Sequence, residues 1–280
     1  MKQKEIQTAP RFPLREHPEG RRWCLLLVKR LIIFCFAGLT IASAKADTVP
    51  FLPAQTGYYA IRYTYGLVAM NAGSACYRLQ TTTFKGKPAL QSSLEFKTNA
   101  FFDKIFLIRD TLASYASLPG YAPLHHARSI NEGHTHLTEA METRQFGNDY
   151  TEWHIRRKQQ EKAPADTILS VQNRGYDCLN IFLYLRQLDY ASLRPGDSRQ
   201  VTVLVGHKKT NLIIRYLGPT ILERSNKLKQ NAFLLSVDIT NEVFSKARNA
   251  MEIWISDDEY HIPLKMKAKL KIGATEAELI

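Results

Sequence analysis

Cysteine is scarce, four in 280 residues, and no two are spaced C-x-x-C. A thioredoxin-type redox centre or a cysteine zinc site needs that spacing, so neither is expected. No G-x-S-x-G elbow surrounds Ser114, Ser170 or Ser256, which removes the α/β-hydrolase form of serine chemistry. No P-loop and no dinucleotide fingerprint occur, and no cofactor is expected. Strand patterns do not alternate with helical ones, which excludes a βαβ architecture. No apolar run reaches the ~20 residues that span a ~30 Å hydrocarbon layer, so no permanent transmembrane helix is expected. Positive charge is in surplus, +12 formally. Half of that surplus lies before Asp47, and the rest is interspersed with acids. A nucleic-acid partner needs a basic stripe and is not expected.

The N-terminal part carries an export signal. Lys29-Arg30 precedes an apolar run from Leu31 to Ala44 that ends in small residues. That order of basic flank, apolar segment and A-x-A site is a secretory signal peptide. Cleavage sites end at Ala44 (Ala42-Ser43-Ala44) and at Ala46 (Ala44-Lys45-Ala46). Residues 1–27, with Pro10, Pro13 and Pro18, fit this signal poorly, which points to Val28 as the true start. Residues 1–46 are thus read as an extension plus signal peptide, and residues 47–280 as one extracytoplasmic domain. Phe34 occupies a place where lipid attachment needs a small residue, so Cys35 is not a lipoprotein cysteine. The compartment expected is the periplasm, with outer-membrane association left open. In an oxidising compartment Cys76 and Cys178 can pair, closing a loop of about 100 residues worth roughly 4–5 kcal/mol on the chain-entropy model. They can equally be two small buried residues that never meet.

From Gly57 onward the pattern is strand after strand. Tyr58 to Tyr65 is rich in aromatic and β-branched residues. Further strands are expected at 75–83, 89–98, 105–117, 124–130, 134–143, 150–158, 200–205, 211–217, 233–239, 250–256 and 262–272. Lys265, Lys267, Lys269 and Lys271 alternate with apolar residues, as on a half-buried strand with one solvated basic face. One segment differs: Cys178, Ile181, Phe182, Leu185 and Leu188 recur at helical spacing, with Asp177 as N-cap. The expected fold is all-β and mainly antiparallel, about twelve strands in an open or closed barrel-like meander with one inserted helix.

The stretches Trp254 to Asp258 with Pro263-Leu264, and Tyr176 to Arg186, resemble a family of exported bacterial envelope proteins known as domain of unknown function 3108. Trp254-Ile255-Ser256-Asp257-Asp258 followed by Pro263-Leu264 is similar to its C-terminal signature. Tyr176-Asp177 through Tyr184-Leu185-Arg186 resembles its central helix, and Tyr63-Thr64-Tyr65-Gly66 and Arg215 to Gly218 fit as well. The resemblance covers residues 57–279. It implies export, a β-rich fold and a structural signature of Asp177, Arg186, Trp254, Asp257, Asp258 and Pro263, and it implies no catalytic residue. By fold-level analogy alone it points to periplasmic open barrels that carry lipids or lipoproteins.

Candidate chemistry is thin. His134 and His136 share a strand face, and a three-residue turn at 131–133 sets Arg128 opposite His136 with His126 diagonal to it, whereas a two-residue turn would bring up His125 instead. Arg128 would repel a cation there, so no metal is expected. Asp257-Asp258-Glu259 forms a carboxylate cluster that a tight turn explains, with Asp257 capping backbone donors or pairing with Arg186. Arg109-Asp110 and Asp103-Lys104 are expected as surface pairs. The aromatics assigned to ligand contact are Phe102, Phe106, Tyr184 and Trp254, filling a barrel interior or lining a cavity in it. The leading expectation is non-catalytic binding of an apolar or amphipathic envelope component, such as a lipid. A scaffold docking an envelope protein partner is second, and a metal- or carboxylate-dependent hydrolase third.

Overall fold

The computed structural model describes residues 52–147, 149–240, 247–270 and 273–280. The signal segment, Cys24 and Cys35 lie outside the described residues. The elements are β1 (Gln55–Tyr65), β2 (Val68–Phe84), β3 (Lys87–Thr98), α1 (Ala100–Asp103), β4 (Arg109–Ser117), β5 (Pro123–Glu132), β6 (Thr135–Phe146), β7 (Tyr150–Gln159), β8 (Ala165–Gln172), β9 (Gly175–Tyr176), α2 (Asn180–Arg186), β10 (Ser198–Val205), β11 (Lys208–Glu223), β12 (Lys229–Thr240), β13 (Ala247–Ser256), β14 (Pro263–Lys269) and β15 (Ala274–Leu279). Neither described helix is long and apolar enough to cross a membrane.

All fifteen strands form one sheet in the order β8-β7-β6-β5-β4-β3-β2-β1-β15-β14-β13-β12-β11-β10-β9. Sheet neighbours pair antiparallel except β9 and β10, which run parallel. The first and last strands pair in the middle of the sheet, from Tyr59↔Leu279 to Thr64↔Ala274. The two edge strands, β8 and β9, are consecutive in sequence with only Asn173 and Arg174 between them. A right-twisted sheet of this width must curl, and that short link draws its edges together. The result is a nearly closed barrel-like sheet. β10 shows the overlap: Val201 and Val203 enter the main core, while Leu204 packs from the other side with Met141, Trp153, Ile155 and Val171 of β6, β7 and β8.

Strand alternation sets the interior. Along β2, Ala75, Tyr77 and Leu79 are buried while Cys76 and Arg78 are only partly so; along β13, Met251, Ile253 and Ile255 are buried. Two-residue turns fix the registers. Lys85 and Gly86 both have positive φ, +49° and +78°, as a type I′ turn requires. The β5–β6 turn is Gly133-His134, with Glu132 paired to Thr135. This differs from the three-residue turn expected at 131–133. Gly133, at φ +56°, takes the first central place of the turn, where a left-handed backbone is needed.

Helix α2 sits inside the sheet. Ile181, Leu183 and Leu185 are each at most 1% exposed, so the seven-residue helix is covered on several faces rather than along one stripe. It is shorter than the 178–188 periodicity implied. The expected basic face of β14 is also not simply solvated. Lys265 and Lys267 reach across to Glu276, at 2.9 and 3.3 Å, and Lys265 also reaches Glu278 at 3.5 Å. Burial raises the Glu276 carboxyl, but Lys265 and Lys267 outweigh it and hold the group below its ordinary range. Asp110 is likewise not a surface group: it is buried and accepts from the Asn131 amide at 2.8 Å. Arg109 pairs instead with Asp103 at 2.7 Å.

The register of β2 leaves no room at Gly73, beside the bulge between Ile61 and Arg62. A Cβ there would lie 2.1 Å from the Lys97 carbonyl oxygen and 2.9 Å from Thr98 Cα. Gly73→Ala is expected to force β2 and β3 apart and to lower unfolding free energy by about 1–3 kcal/mol, measured by urea denaturation. An unchanged midpoint and slope would contradict this packing.

Candidate functional site

The interior beside α2 has an apolar half and a polar half. The apolar half is a cavity of about 90 Å³ between the helix and the sheet. Ile61, Phe96, Leu112, Phe182, Met251 and Met266 contribute most of its character, and Cys178, Tyr59, Tyr77 and Arg186 complete the wall. Arg186 is the only charged side chain among the wall residues. Phe182, Leu94, Met266 and Gln55 are the wall residues that are only partly buried.

The polar half begins as a row across three strands. Ser92 of β3 pairs with Ser114 of β4, which pairs with His126 of β5, and all three are buried on the inner face. The row meets the start of α2 at Asp177. Asp177 Oδ1 accepts from Ser114 Oγ at 2.6 Å and from the backbone amides of Leu179 and Asn180 at 2.9 and 3.0 Å. Its Oδ2 accepts from Asn180 Nδ2 at 2.8 Å. Asp177 therefore caps the first turn as its position implied, although the regular helix begins at Asn180.

These bonds assign the tautomer of His126. Ser114 has one proton, and Asp177 receives it. Ser114 Oγ must then accept from His126 Nδ1, 2.8 Å away. Nε2 is left as an acceptor facing Cys178 Sγ at 3.6 Å. The chain runs thiol, imidazole, hydroxyl, carboxylate, which is the order that draws a proton from a sulfur nucleophile. His126, Asp177 and Cys178 also have metal-ligand chemistry and lie within 4.8 Å of one another. Both Asp177 oxygens already serve protein donors, however, so the trio fits a hydrogen-bond chain better than an ion cage.

The residues expected to contact a ligand are placed elsewhere. Trp254 lies between the inward Ile253 and Ile255, so the strand period of two turns it outward, against Leu222, Ala232 and Leu264. Tyr184 packs against Tyr176, with ring centroids 5.3 Å apart, rather than on the cavity. Phe102 and Phe106 are buried at and just beyond α1, where Phe106 packs close to Gly133. None of the four lines the cavity. Cys76 and Cys178 are not bonded to each other. Cys76 is on the outer face of β2, between the inward Ala75 and Tyr77, while Cys178 is inside, so the sheet separates them.

The C-terminal signature is a clamp on the helix. Asp258, rather than Asp257, accepts from Ser256 Oγ and from the amides of Tyr260 and His261, at 2.8, 2.9 and 3.1 Å. The side chain of Asp257 is exposed. The turn so formed presents the Tyr260 carbonyl to Arg186 Nε at 2.8 Å, while His261 Nδ1 donates to the Arg186 carbonyl at 3.0 Å. The Pro263 carbonyl accepts from Tyr59 Oη at 2.8 Å. Arg186 thus bonds the loop's backbone, not Asp257. His134 and His136 take no part in the interior site: His136 bonds Asn131 on the surface at 2.8 Å, and His126 and Arg128 pair with Met141 and Glu139.

Fold and site together define a nearly closed β-barrel-like protein with a buried helix and an apolar pocket beside it. The family model described as "Protein of unknown function (DUF3108)" matches residues 58–280, and the chain belongs to that family. Among solved structures, it is similar to a β-barrel-like protein of domain of unknown function DUF1849 from Brucella abortus. The TM-score is 0.55 at 8% identity, covering 82% of this chain and 97% of that one. At that identity the likeness concerns the fold alone. No curated protein matches the chain.

Burial holds the His126 imidazole below its ordinary range, opposed by the nearby Asp177 carboxylate. The unfolded chain therefore takes up this proton first as pH falls through about 6.5, and the folded state loses stability there by up to ~1.4 kcal/mol per pH unit. His126→Gln is expected to flatten that part of the stability–pH curve; His125, also depressed by burial, keeps its own share. Equal slopes for the two proteins between pH 7 and 5 would show that His126 is not buried neutral.

Proposed function

We propose that the protein is exported to the periplasm and binds an apolar or amphipathic component of the cell envelope in the cavity beside α2, without transforming it. One observation carries the reading: the described interior leaves about 90 Å³ unfilled in a wall that is almost wholly apolar. Interiors are ordinarily packed without such space, and an apolar cavity stays dry and takes an apolar guest. Two of its wall residues are Met251 and Met266, whose unbranched thioethers adapt to different shapes. Docking through the face of α2 has less behind it, because that helix is enclosed by the sheet.

Two measurements test the reading. Fractionation of cells making the full chain should place it in the periplasm with an N-terminus at Lys45 or Asp47; an intact N-terminus in the cytosol would refute export. In solution, an uncharged amphiphile such as octanol should bind, as followed by titration calorimetry. Ala268 is a buried wall residue, and Ala268→Phe should fill the space and weaken binding about tenfold or more, or ~1.4 kcal/mol. Absence of binding to the unaltered protein would remove the cavity as the ligand site.

A further inference from the structure

Arg186 Nη1 and Nη2, Tyr77 Oη and Ser92 Oγ form a buried polar cluster at the cavity's edge: among the described residues Tyr77 Oη reaches Ser92 and Arg186, and no group outside the cluster bonds any of the four atoms. They belong to one neighbourhood. Burial raises the Tyr77 hydroxyl to about 12, while the adjacent Arg186 guanidinium and Ser92 hydroxyl pull it back down. Arg186 and Tyr77 both form cavity wall. A buried polar cluster whose bonds run only within itself keeps unused donor capacity, and such a cluster marks a place where a polar group can be received. The guanidinium remains a cation when buried, and leaving such a charge without a counter-charge is costly.

The Arg186 side chain is held ready for a ligand. Nε is tied to the Tyr260 carbonyl at 2.8 Å, and the rest of the fork has only the Tyr77 hydroxyl within reach and no carboxylate bonded to it. Asp258, whose charge acts on Arg186, does not fill the role, being occupied with the Ser256 hydroxyl and the amides of Tyr260 and His261; Asp177 is likewise occupied, with Ser114 and the start of α2. Tyr59 donates its proton to the Pro263 carbonyl. What remains is two guanidinium donors and two hydroxyls beside an apolar cavity. Two parallel N–H groups match the two oxygens of a carboxylate or phosphate.

We infer that the cavity receives a single-chain amphiphile with a small oxyanion head, the head bound by Arg186 with Tyr77 and Ser92 and the chain lying among Phe96, Leu112, Met251 and Met266. This rests on the cavity reading proposed above and adds the charge of the ligand. The free volume accommodates the head and the first carbons. A longer chain extends past the partly buried Leu94, Phe182 and Met266, where the wall can yield.

Octanoate, octyl phosphate and octanol share one chain and differ in the head. Calorimetric titration of the full-length mature protein should show at least one of the two anions binding about tenfold or more tightly than octanol; the tighter of the two identifies a carboxylate or a phosphate source. Arg186→Met should abolish the preference while octanol binding persists, and Arg186→Lys should restore only part of it. Because Arg186 also anchors the 257–263 turn, Tyr77→Phe and Ser92→Ala are measured alongside, each expected to reduce the preference severalfold. Equal affinity of all three ligands would overturn the oxyanion site and leave the apolar cavity standing. Failure of all three to bind would overturn both. A high-resolution structure with octanoate added that shows only waters on Arg186, Tyr77 and Ser92 would also overturn the oxyanion site.

Discussion

The interior is organised around one buried carboxylate. Asp177 is fully enclosed and accepts from a strand hydroxyl, two helix amides and a side-chain amide. A carboxylate out of water is tolerated only when its lone pairs are taken in this way. Each donor thereby acquires a place: the helix start is pinned to β4, and the direction of α2 follows. Cys178 and Phe182 are then delivered to the cavity, and Arg186 to its edge. Removing the carboxylate would strand several donors at about 1–3 kcal/mol each. The apolar packing of Ile181, Leu183 and Leu185 supplies the driving force, but hydrophobic burial has no direction. Asp177 supplies the orientation.

The far end of the helix is held by backbone rather than by charge. The turn organised by Asp258 offers a carbonyl to Arg186 and takes one back through His261. A backbone carbonyl satisfies one guanidinium nitrogen without neutralising the cation, so no carboxylate is bonded to the Arg186 charge. The same economy is absent at the sheet's closing seam. There Arg128 and Glu139, both buried, pair at 2.9 Å and cancel. One buried arginine is thus matched by a carboxylate, and the other is held by a backbone carbonyl alone at Nε.

Much of the fold was legible in the sequence because local rules govern it. Alternating strands, glycine-marked turns and one helical spacing bounded by Asp177 led to an antiparallel barrel-like meander with an inserted helix, and that is what forms. The family resemblance was legible for the same reason, since Trp254 to Asp258 and Pro263-Leu264 are contiguous. The strand count fell short because neighbours such as β14 and β15 are divided by turns that interrupt no clear pattern. The hairpin register slipped because one residue of turn length decides which of His126, Arg128 and Glu139 face one another.

The site was far less legible. Tyr77, Ser92, Ser114 and His126 come from four different strands and have no mutual spacing to detect. Each is an unremarkable polar residue in a β-rich stretch until the sheet's register sets them side by side. Trp254 and Tyr184 looked like ligand contacts because they are large and aromatic, and the pleat and the helix face turned them away. By itself the sequence determined most of the secondary structure, the family and the candidate export signal, all properties of neighbouring residues. Only the tertiary structure decided which side of each strand is inside, and with it that Cys76 and Cys178 are kept apart and that the Arg186 guanidinium lies beside an apolar cavity. The physical reason is that facing, burial and hydrogen-bond satisfaction depend on long-range pairing, and a one-residue shift in register reverses them.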